Sequence, residues 1–122
     1  MRRLLSVVVS VYNEEEALAQ FYQVTEGILN TISWDYELVF VNDGSRDQSL
    51  PILNHLADSN PKVKVVSFSR NFGHEAAMIA GIDYSQGDGI ICMDADLQHP
   101  PACIPEIIRR FEDGYEVINM VR

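Results

Sequence analysis

Cysteine, long apolar runs and basic side chains are all scarce in this chain, and each scarcity excludes a class of protein. The two cysteines, Cys92 and Cys103, are too few for a disulfide framework, and the apolar run around Cys92 favours a buried thiol in a reducing compartment. The longest apolar stretch, residues 4–11, contains two serines and is far shorter than the roughly 18 residues of a membrane-spanning helix. Five prolines and seven glycines in 122 residues exclude collagen-like and low-complexity chains. The composition indicates one ordinary globular domain.

Basic residues are half as frequent as acidic ones. Nine lysines and arginines stand against eighteen aspartates and glutamates, which gives a net charge of -9 at pH 7. Proteins bind nucleic acid and anionic membrane surfaces chiefly through lysine and arginine, so we expect neither partner for this segment. Arg2 and Arg3 precede an apolar run, but no small-residue cleavage site follows. We therefore expect no signal peptide and a cytoplasmic location for this segment.

Short runs rich in β-branched residues alternate with segments of helical periodicity. The runs are continuously apolar, as expected for strands that are covered on both faces. Asn13 is predicted to cap the first helix, with the three glutamates that follow it in the first turn. The alternation predicts an α/β fold with an open, mostly parallel sheet and helices on both faces. The predicted strands are 4–11, 37–41, 63–68, 89–93 and 117–121, and the later helices are about 47–58, 74–85 and 101–113.

Polar residues follow the predicted strands at one edge of the sheet. Ligands of open parallel sheets bind beyond the carboxyl ends of the strands, and the segments 12–15, 42–47, 69–75 and 94–100 all lie there. The connections at the opposite edge read as plain turns. No G-x-G-x-x-G sequence, Walker loop or nucleophile elbow occurs in the chain. The carboxyl edge is therefore the predicted site.

The strongest candidate in that edge is the sequence Asp94-Ala95-Asp96-Leu97-Gln98. Residues two apart in an extended chain face the same side, so Asp94, Asp96 and Gln98 would converge. Two carboxylates about 4 Å apart repel by about 4 kcal/mol at a moderate effective dielectric, and a cation relieves this. Oxygen ligands suit Mg²⁺ or Mn²⁺ rather than zinc. A solvated acidic turn that caps the next helix is the alternative.

A divalent cation in an acidic site is suited to a diphosphate, because the metal bridges carboxylate and phosphate oxygens that would otherwise repel. Asp43 would accept a hydrogen bond from a base or a ribose, although Asp-Gly-Ser is also a common turn. Arg70 either contacts the ligand or balances the surrounding acids. His74 and His99 are better explained as helix-end or turn residues than as ligands. The stretch 76–81 indicates close helix packing rather than a cofactor motif.

Four sequence segments together cover almost the whole chain: SVVVSVYNEE at 6–15, VNDGSRD at 41–47, SRNFGHEAA at 69–77 and MDADLQHPP at 93–101. In this order they resemble the family 2 glycosyltransferases. The third and fourth are most similar to the branch that acts on polyprenyl phosphates, which includes dolichyl-phosphate mannose synthases and bactoprenol glucosyltransferases. The resemblance implies a GT-A fold, with a Rossmann-like nucleotide-binding half, and inverting transfer of a hexose from UDP-glucose or GDP-mannose to a lipid phosphate.

The resemblance also implies roles for individual residues. Asp94 and Asp96 would bind Mg²⁺ or Mn²⁺, with Gln98 as a third ligand. Catalytic residues in the strict sense are not identified by any of the four segments. The residues implied in nucleotide binding are Val11, Tyr12, Asn13, Glu14, Asp43, Arg70, Asp94 and Ala95.

Members of the family continue well past the fifth strand, so residues 1–122 are expected to be the donor-binding part of a longer enzyme and to turn over poorly alone. The acceptor-facing half and membrane helices would lie in the remainder, which would make the full-length protein a membrane protein with its catalytic domain facing the cytoplasm. The exposed edge of the sheet at 117–121 would allow pairing with a second copy.

Three other functions were weighed against glycosyl transfer. A nucleotide-sugar-binding module without turnover fits the same residues. A metal-dependent phosphohydrolase with Asp94 as nucleophile would need a hydroxyl residue where Gln98 stands. A phospho-acceptor receiver domain would need an aspartate at the end of the third strand, where the chain has Ser69 and Arg70.

Overall fold

The computed structural model describes residues 3–95, 103–112 and 118–121, and these residues form a parallel five-stranded sheet. The strand order is β3-β2-β1-β4-β5, and every neighbouring pair is parallel. The predicted α/β fold and its element order are therefore confirmed. The elements are β1 Leu4–Val11, α1 Leu18–Leu29, β2 Asp35–Asn42, α2 Ser49–Ser59, β3 Val63–Ser67, α3 His74–Tyr84, β4 Gly89–Asp94, α4 Ile104–Glu112 and β5 Ile118–Val121.

Helices cover both faces of the sheet, as the continuous apolar strands predicted. On one face, the odd-numbered residues of β1 pack with apolar side chains of α1, α2 and α4, among them Phe21, Leu53 and Ile104. On the other face, Val8 packs with Ala77 and Met78 of α3. Because strands buried on both sides offer no polar face, the ligand-binding chemistry is confined to the ends of the strands.

Helix α3 lies unusually close to the sheet, because Gly81 faces β1 and β2. A Cβ atom added at Gly81 would be 2.3 Å from Cγ1 of Val8 and 3.0 Å from Cγ2 of Val41. The prediction that residues 76–81 serve close helix packing is thus confirmed. This contact anchors the helix whose first residue, His74, lies at the carboxyl edge of the sheet.

The start of the first helix differs from the prediction. Helix α1 begins at Leu18 after Ala17, not after Asn13, and no acidic residue lies in its first turn. Asn13 has a left-handed backbone with φ of 52°, and its side-chain Oδ1 accepts a hydrogen bond from the main-chain N–H of Arg46 at 2.9 Å. The predicted cap is wrong because this contact with another loop replaces the local helix cap.

Strands β3 and β5 are the outer strands of the described sheet, so the predicted edge strand at the end of the chain is present. Pairing of β5 with a second copy remains a prediction. Within the described ranges, no helix is both long enough and apolar enough to cross a bilayer.

Candidate functional site

An open cleft of about 460 Å³ lies at the carboxyl ends of the central strands, where the sequence placed the site. Ser10 of β1 and Asp94 of β4 are register partners, so adjacent strands place both at the floor of this cleft. Loops after β1, β2 and β3 complete its walls. The lining residues are Ser10, Tyr12, Glu14, Asp43, Asn71, Gly73, His74 and Asp94.

Asp43 is buried at the end of β2, and its carboxylate organises the loop before α3. Oδ1 accepts a hydrogen bond from the main-chain N–H of Phe72 at 2.7 Å, and Oδ2 accepts one from the N–H of Gly73 at 3.1 Å. The side-chain amide of Asn71 donates to Oδ2 at 3.1 Å and to the Asp43 carbonyl at 3.2 Å. Only 3% of Asp43 is exposed. The carboxylate predicted to bind a base or ribose therefore also holds one wall of the cleft in place.

The neighbouring Gly44 allows the loops after β2 and β3 to touch. Its φ is +70°, and an added Cβ would be 2.2 Å from the main-chain carbon of Arg70 and 2.4 Å from the nitrogen of Asn71. Any side chain at this position would meet backbone that has no room to rotate away. Glycine is therefore required here by both conformation and space.

Main-chain and side-chain hydrogen bonds join the loops after β1 and β2. The N–H of Asn13 donates to Oγ of Ser45 at 3.0 Å, and the N–H of Glu14 donates to Oγ of Ser49 at 2.9 Å. The N–H of Glu15 donates to Oδ2 of Asp47 at 3.2 Å. The predicted nucleotide-binding residues Asn13 and Glu14 are thus parts of a bonded pair of loops.

The acidity of Asp47 reflects these bonds. Burial alone would raise the pKa of its carboxyl, but hydrogen bonds from Ser49 and the N–H of Glu15 stabilise the charged form. The net result is a pKa below the ordinary value of 3.8.

His74 and Asp94 form a pair at the centre of the cleft. Nδ1 of His74 is 3.2 Å from Oδ1 of Asp94, and about a third of each side chain is exposed. Sequence analysis explained His74 as a helix-end residue, which it is, but missed this partner. No local signal in the sequence identifies this partner, because the pairing depends on how α3 packs on the sheet.

Tyr12 and Arg70 line a second, adjoining cavity of about 510 Å³, beside the loops after β2 and β3. Tyr12 is 45% exposed, which leaves much of its ring accessible. The Arg70 guanidinium carbon lies 4.6 Å from the centre of the Phe72 ring. The two side chains therefore border the cavity next to the cleft, and a position of Arg70 near a nucleotide or diphosphate stays a prediction.

Two predicted nucleotide-binding residues are buried. Val11 has no exposed surface, packs in the core with α1, and its carbonyl accepts the N–H of Asp43 at 2.9 Å. Ala95 is 1% exposed, and its N–H donates to the carbonyl of Ser10 at 3.4 Å. Neither side chain is free to contact a ligand, so any contribution of these two residues comes from shaping the strand ends.

Of the three predicted metal ligands, only Asp94 is among the described residues. Asp94 lies in the cleft, whereas Asp96 and Gln98, with His99, lie outside the described residues. Among residues 3–95, 103–112 and 118–121, no three acidic, histidine or cysteine residues are grouped closely enough to hold a metal ion. The convergence of Asp94, Asp96 and Gln98 remains a prediction.

Both cysteines are free thiols, in agreement with the absence of a disulfide framework. Cys92 is buried beneath α3, and burial raises the pKa of its thiol. Burial also raises the pKa of Cys103.

Comparison with known proteins supports the family resemblance seen in the sequence. A family model described as glycosyl transferase family 2 matches residues 6–122. The chain is 49% identical over 117 residues to the uncharacterized glycosyltransferase YkcC of Bacillus subtilis (strain 168), covering 96% of this chain and 36% of that protein. It is 45% identical over 114 residues to the prophage bactoprenol glucosyl transferase homolog of Escherichia coli (strain K12), covering 93% and 37%. The chain thus spans little more than a third of these relatives.

Solved structures share the fold at lower sequence identity. S. aureus TarS 1-349 in complex with UDP-GlcNAc matches with a TM-score of 0.74 and 20% identity, over 93% of this chain and 32% of that chain. The mannosyltransferase PcManGT from Pyrobaculum calidifontis, in complex with GDP-Man and Mn²⁺, matches with a TM-score of 0.66 and 21% identity, over 82% and 29%. The chain therefore shares the fold of these two proteins.

Proposed function

The chain belongs to glycosyl transferase family 2, and on this basis we propose that residues 1–122 are the nucleotide-sugar-binding part of a hexosyltransferase. The whole enzyme would transfer a hexose from a nucleotide-diphospho-sugar to a polyprenyl phosphate with inversion at the anomeric carbon. Among its relatives, the E. coli protein is named as a bactoprenol glucosyl transferase homolog, which supports a lipid phosphate as acceptor. UDP-glucose and GDP-mannose remain the two candidate donors.

The observation that carries the proposal is the position of Asp94. Its carboxylate lies at the tip of β4, in a cleft that also contains Glu14 and Asp43. Asp96 follows two residues later in the sequence and would supply a second carboxylate to the proposed site. A site so rich in carboxylates would repel a diphosphate unless a cation were bound between them.

The donor atoms in the cleft fit a hard divalent cation. Asp94 offers carboxylate oxygen, and neither a thiol nor a cluster of imidazoles accompanies it among the described residues. Mg²⁺ and Mn²⁺ prefer such oxygen ligands, and Asp94, Asp96 and Gln98 are the residues proposed to hold the ion. When bound, the cation would offset negative charge on the leaving nucleoside diphosphate.

The protein's own residues would bind and orient the donor. The exposed ring of Tyr12 and the Arg70 guanidinium border the cavity beside the cleft, where a planar base and a diphosphate can be accommodated. Asp43, Asn13 and Glu14 hold the surrounding loops in one arrangement. The acceptor phosphate is already an anion at neutral pH, so its attack on the anomeric carbon needs little general-base assistance.

Acceptor binding and membrane association belong to the proposal for the longer protein. The relatives extend well beyond the matched region, since the chain spans 36% and 37% of two of them. We propose that the full protein is anchored in the membrane with this part facing the cytoplasm. Donor binding, in contrast, is testable on residues 1–122 alone.

The test is a thermal-shift panel of UDP, GDP and ADP, each with and without Mn²⁺. We expect UDP or GDP to raise the Tm of the wild-type chain only when Mn²⁺ is present, and Asp94→Asn and Asp96→Ala each to abolish that rise. Asp58→Asn, on the exposed side of α2, is the matched control and should respond like wild type. If no nucleoside diphosphate raises the Tm of the wild-type chain, the proposal fails.

A second assay separates transfer from hydrolysis. The chain is incubated with a generic phosphate ester and Mg²⁺, and released phosphate is measured. A glycosyltransferase donor site should release none above a chain-free blank. Release that disappears in Asp94→Asn would instead favour the metal-dependent phosphohydrolase.

A further inference from the structure

We propose that His74 is a positioning residue for Asp94: it holds Oδ1 of the carboxylate, so that the remaining oxygen is directed to a cation bound with the nucleoside diphosphate. This inference rests on the proposed function and extends it to a residue outside the D-x-D sequence. The contact that carries it is the 3.2 Å separation between Nδ1 of His74 and Oδ1 of Asp94.

His74 is held from both sides by backbone contacts. Gly73 precedes it with φ of 105°, its N–H is bonded to Asp43 at 3.1 Å, and its carbonyl accepts the N–H of Ala77 at 3.1 Å. Further along the helix, Gly81 packs directly on β1. The imidazole is therefore attached to a backbone that cannot easily turn it away from Asp94.

The second ring nitrogen identifies the tautomer. Nε2 of His74 is buried, and no described residue forms a hydrogen bond with it. A buried N–H without an acceptor would be costly, whereas a bare nitrogen lone pair costs less. We infer that the proton is on Nδ1, the nitrogen that lies 3.2 Å from Oδ1 of Asp94.

A contact of this kind would matter to metal binding, because it would fix the orientation of the ligand. Partners that orient a metal-binding side chain typically contribute about 10- to 100-fold to metal affinity. Among the side-chain contacts of the described residues, the one that reaches the Asp94 carboxylate is that of Nδ1 of His74, at 3.2 Å. Removal of the imidazole would allow the carboxylate to rotate, and the cation would be bound more weakly.

Three substitutions of His74 distinguish the effect of losing the N–H donor from the effect of losing side-chain volume. His74→Asn keeps an N–H donor near the position of Nδ1, His74→Gln moves the donor toward the position of Nε2, and His74→Ala removes it. His55→Asn, on the exposed side of α2, is the matched control. Free Mn²⁺ is measured by electron paramagnetic resonance, with UDP or GDP present at saturation, and the Tm of each variant is recorded to confirm folding.

We expect His74→Ala and His74→Gln to weaken Mn²⁺ binding by about 10- to 100-fold, and His74→Asn to stay within about threefold of wild type. Equal Mn²⁺ affinity in wild type, His74→Ala and His74→Gln overturns the positioning role. Equal losses in His74→Asn and His74→Ala also overturn it, because a donor at Nδ1 would then be irrelevant.

Two further results distinguish a failure of this inference from a failure of the proposed function. If Asp94→Asn abolishes Mn²⁺ binding while the three His74 variants retain it, the donor site stands and the role of His74 is lost. If the wild-type chain binds no Mn²⁺, both fail together. Nitrogen-15 NMR of the imidazole ring gives an independent measurement, in which His74 should be the Nδ1–H tautomer, and an Nε2–H ring would contradict the assignment.

Discussion

The Asp43 carboxylate accepts the main-chain N–H of Phe72 at 2.7 Å, which ties the end of β2 to the loop before α3. The same side chain accepts the N–H of Gly73, the residue that precedes His74. His74 in turn lies 3.2 Å from Asp94 at the end of β4. A chain of contacts therefore runs across three strand ends, and it places the carboxylate proposed to bind a cation.

Replacement of Asp43 by asparagine should destabilise the protein even without nucleotide. The amide would direct an NH₂ group at the N–H of Gly73 or Phe72, which leaves a buried donor unpaired and costs about 1–3 kcal/mol. Urea unfolding of Asp43→Asn against wild type measures the difference. Asp58→Asn, an exposed change of the same type, should leave the unfolding midpoint nearly unchanged. An unaltered midpoint for Asp43→Asn would mean that its carboxylate serves ligands alone.

Substitution by alanine should destabilise the protein at Gly44 and stabilise it at Gly27. At Gly44, φ is +70° and an added Cβ would be 2.2 Å from the backbone of Arg70, so Gly44→Ala should cost at least about 2 kcal/mol. At Gly27, within α1, nothing lies within 4 Å, so Gly27→Ala should stabilise by about 0.5–1 kcal/mol. Chemical denaturation of both variants tests the pair. A Gly44→Ala protein as stable as wild type would contradict the contact between these loops.

The architecture was predictable because it follows from patterns that are local in the sequence. Short, continuously apolar runs rich in β-branched residues, such as residues 4–11, are typical of strands covered on both faces, and helices between such strands favour a parallel sheet. The small residues around Gly81 correctly indicated close packing of the third helix. Strand β2 extends slightly beyond its predicted limits, from Asp35 to Asn42, because its ends are paired with β1.

The sequence predicted at which edge of the sheet the candidate site lies, but not the contacts between its residues. Asp43 has partners 28 to 30 residues later in the chain, and no local pattern identifies them. For the same reason Asn13 looked like a helix cap, although its side chain bonds to Arg46. The pairing of His74 with Asp94 depends on how α3 crosses the sheet. Such contacts depend on tertiary packing, which a single sequence leaves open.

The close approach of α3 to β1 should appear as energetic coupling between Gly81 and Val8. Gly81→Ala places a methyl group 2.3 Å from Cγ1 of Val8 and should cost about 1–3 kcal/mol. Val8→Ala removes that methyl, so the double variant should be more stable than the sum of the single changes, by about 0.5–3 kcal/mol. Val9 faces the opposite side of the sheet, and Val9→Ala should add independently to Gly81→Ala. Urea unfolding of the two double-mutant cycles checks this, and equal coupling in both would refute the assigned contact.

The lowered pKa of Asp47 predicts a pH-dependent contribution to stability. Its charged form is stabilised in the folded chain, so the contribution is complete above the ordinary pKa of 3.8 and is lost as the pH falls through the lower folded value. Asp47→Ala removes the acceptors of the N–H groups of Ser49 and Glu15 and should cost about 1–2 kcal/mol at pH 7. Urea unfolding from pH 7 to pH 3 should show a difference in the free energy of unfolding between wild type and Asp47→Ala that is constant down to about pH 5 and shrinks below it.

Asp58→Ala, near the carboxyl end of α2, is the control. It should not destabilise the protein at pH 7, because a negative charge at that end of the helix interacts unfavourably with the helix dipole. A difference between wild type and Asp47→Ala that grows as the pH falls would show that these hydrogen bonds do not stabilise the charged carboxylate.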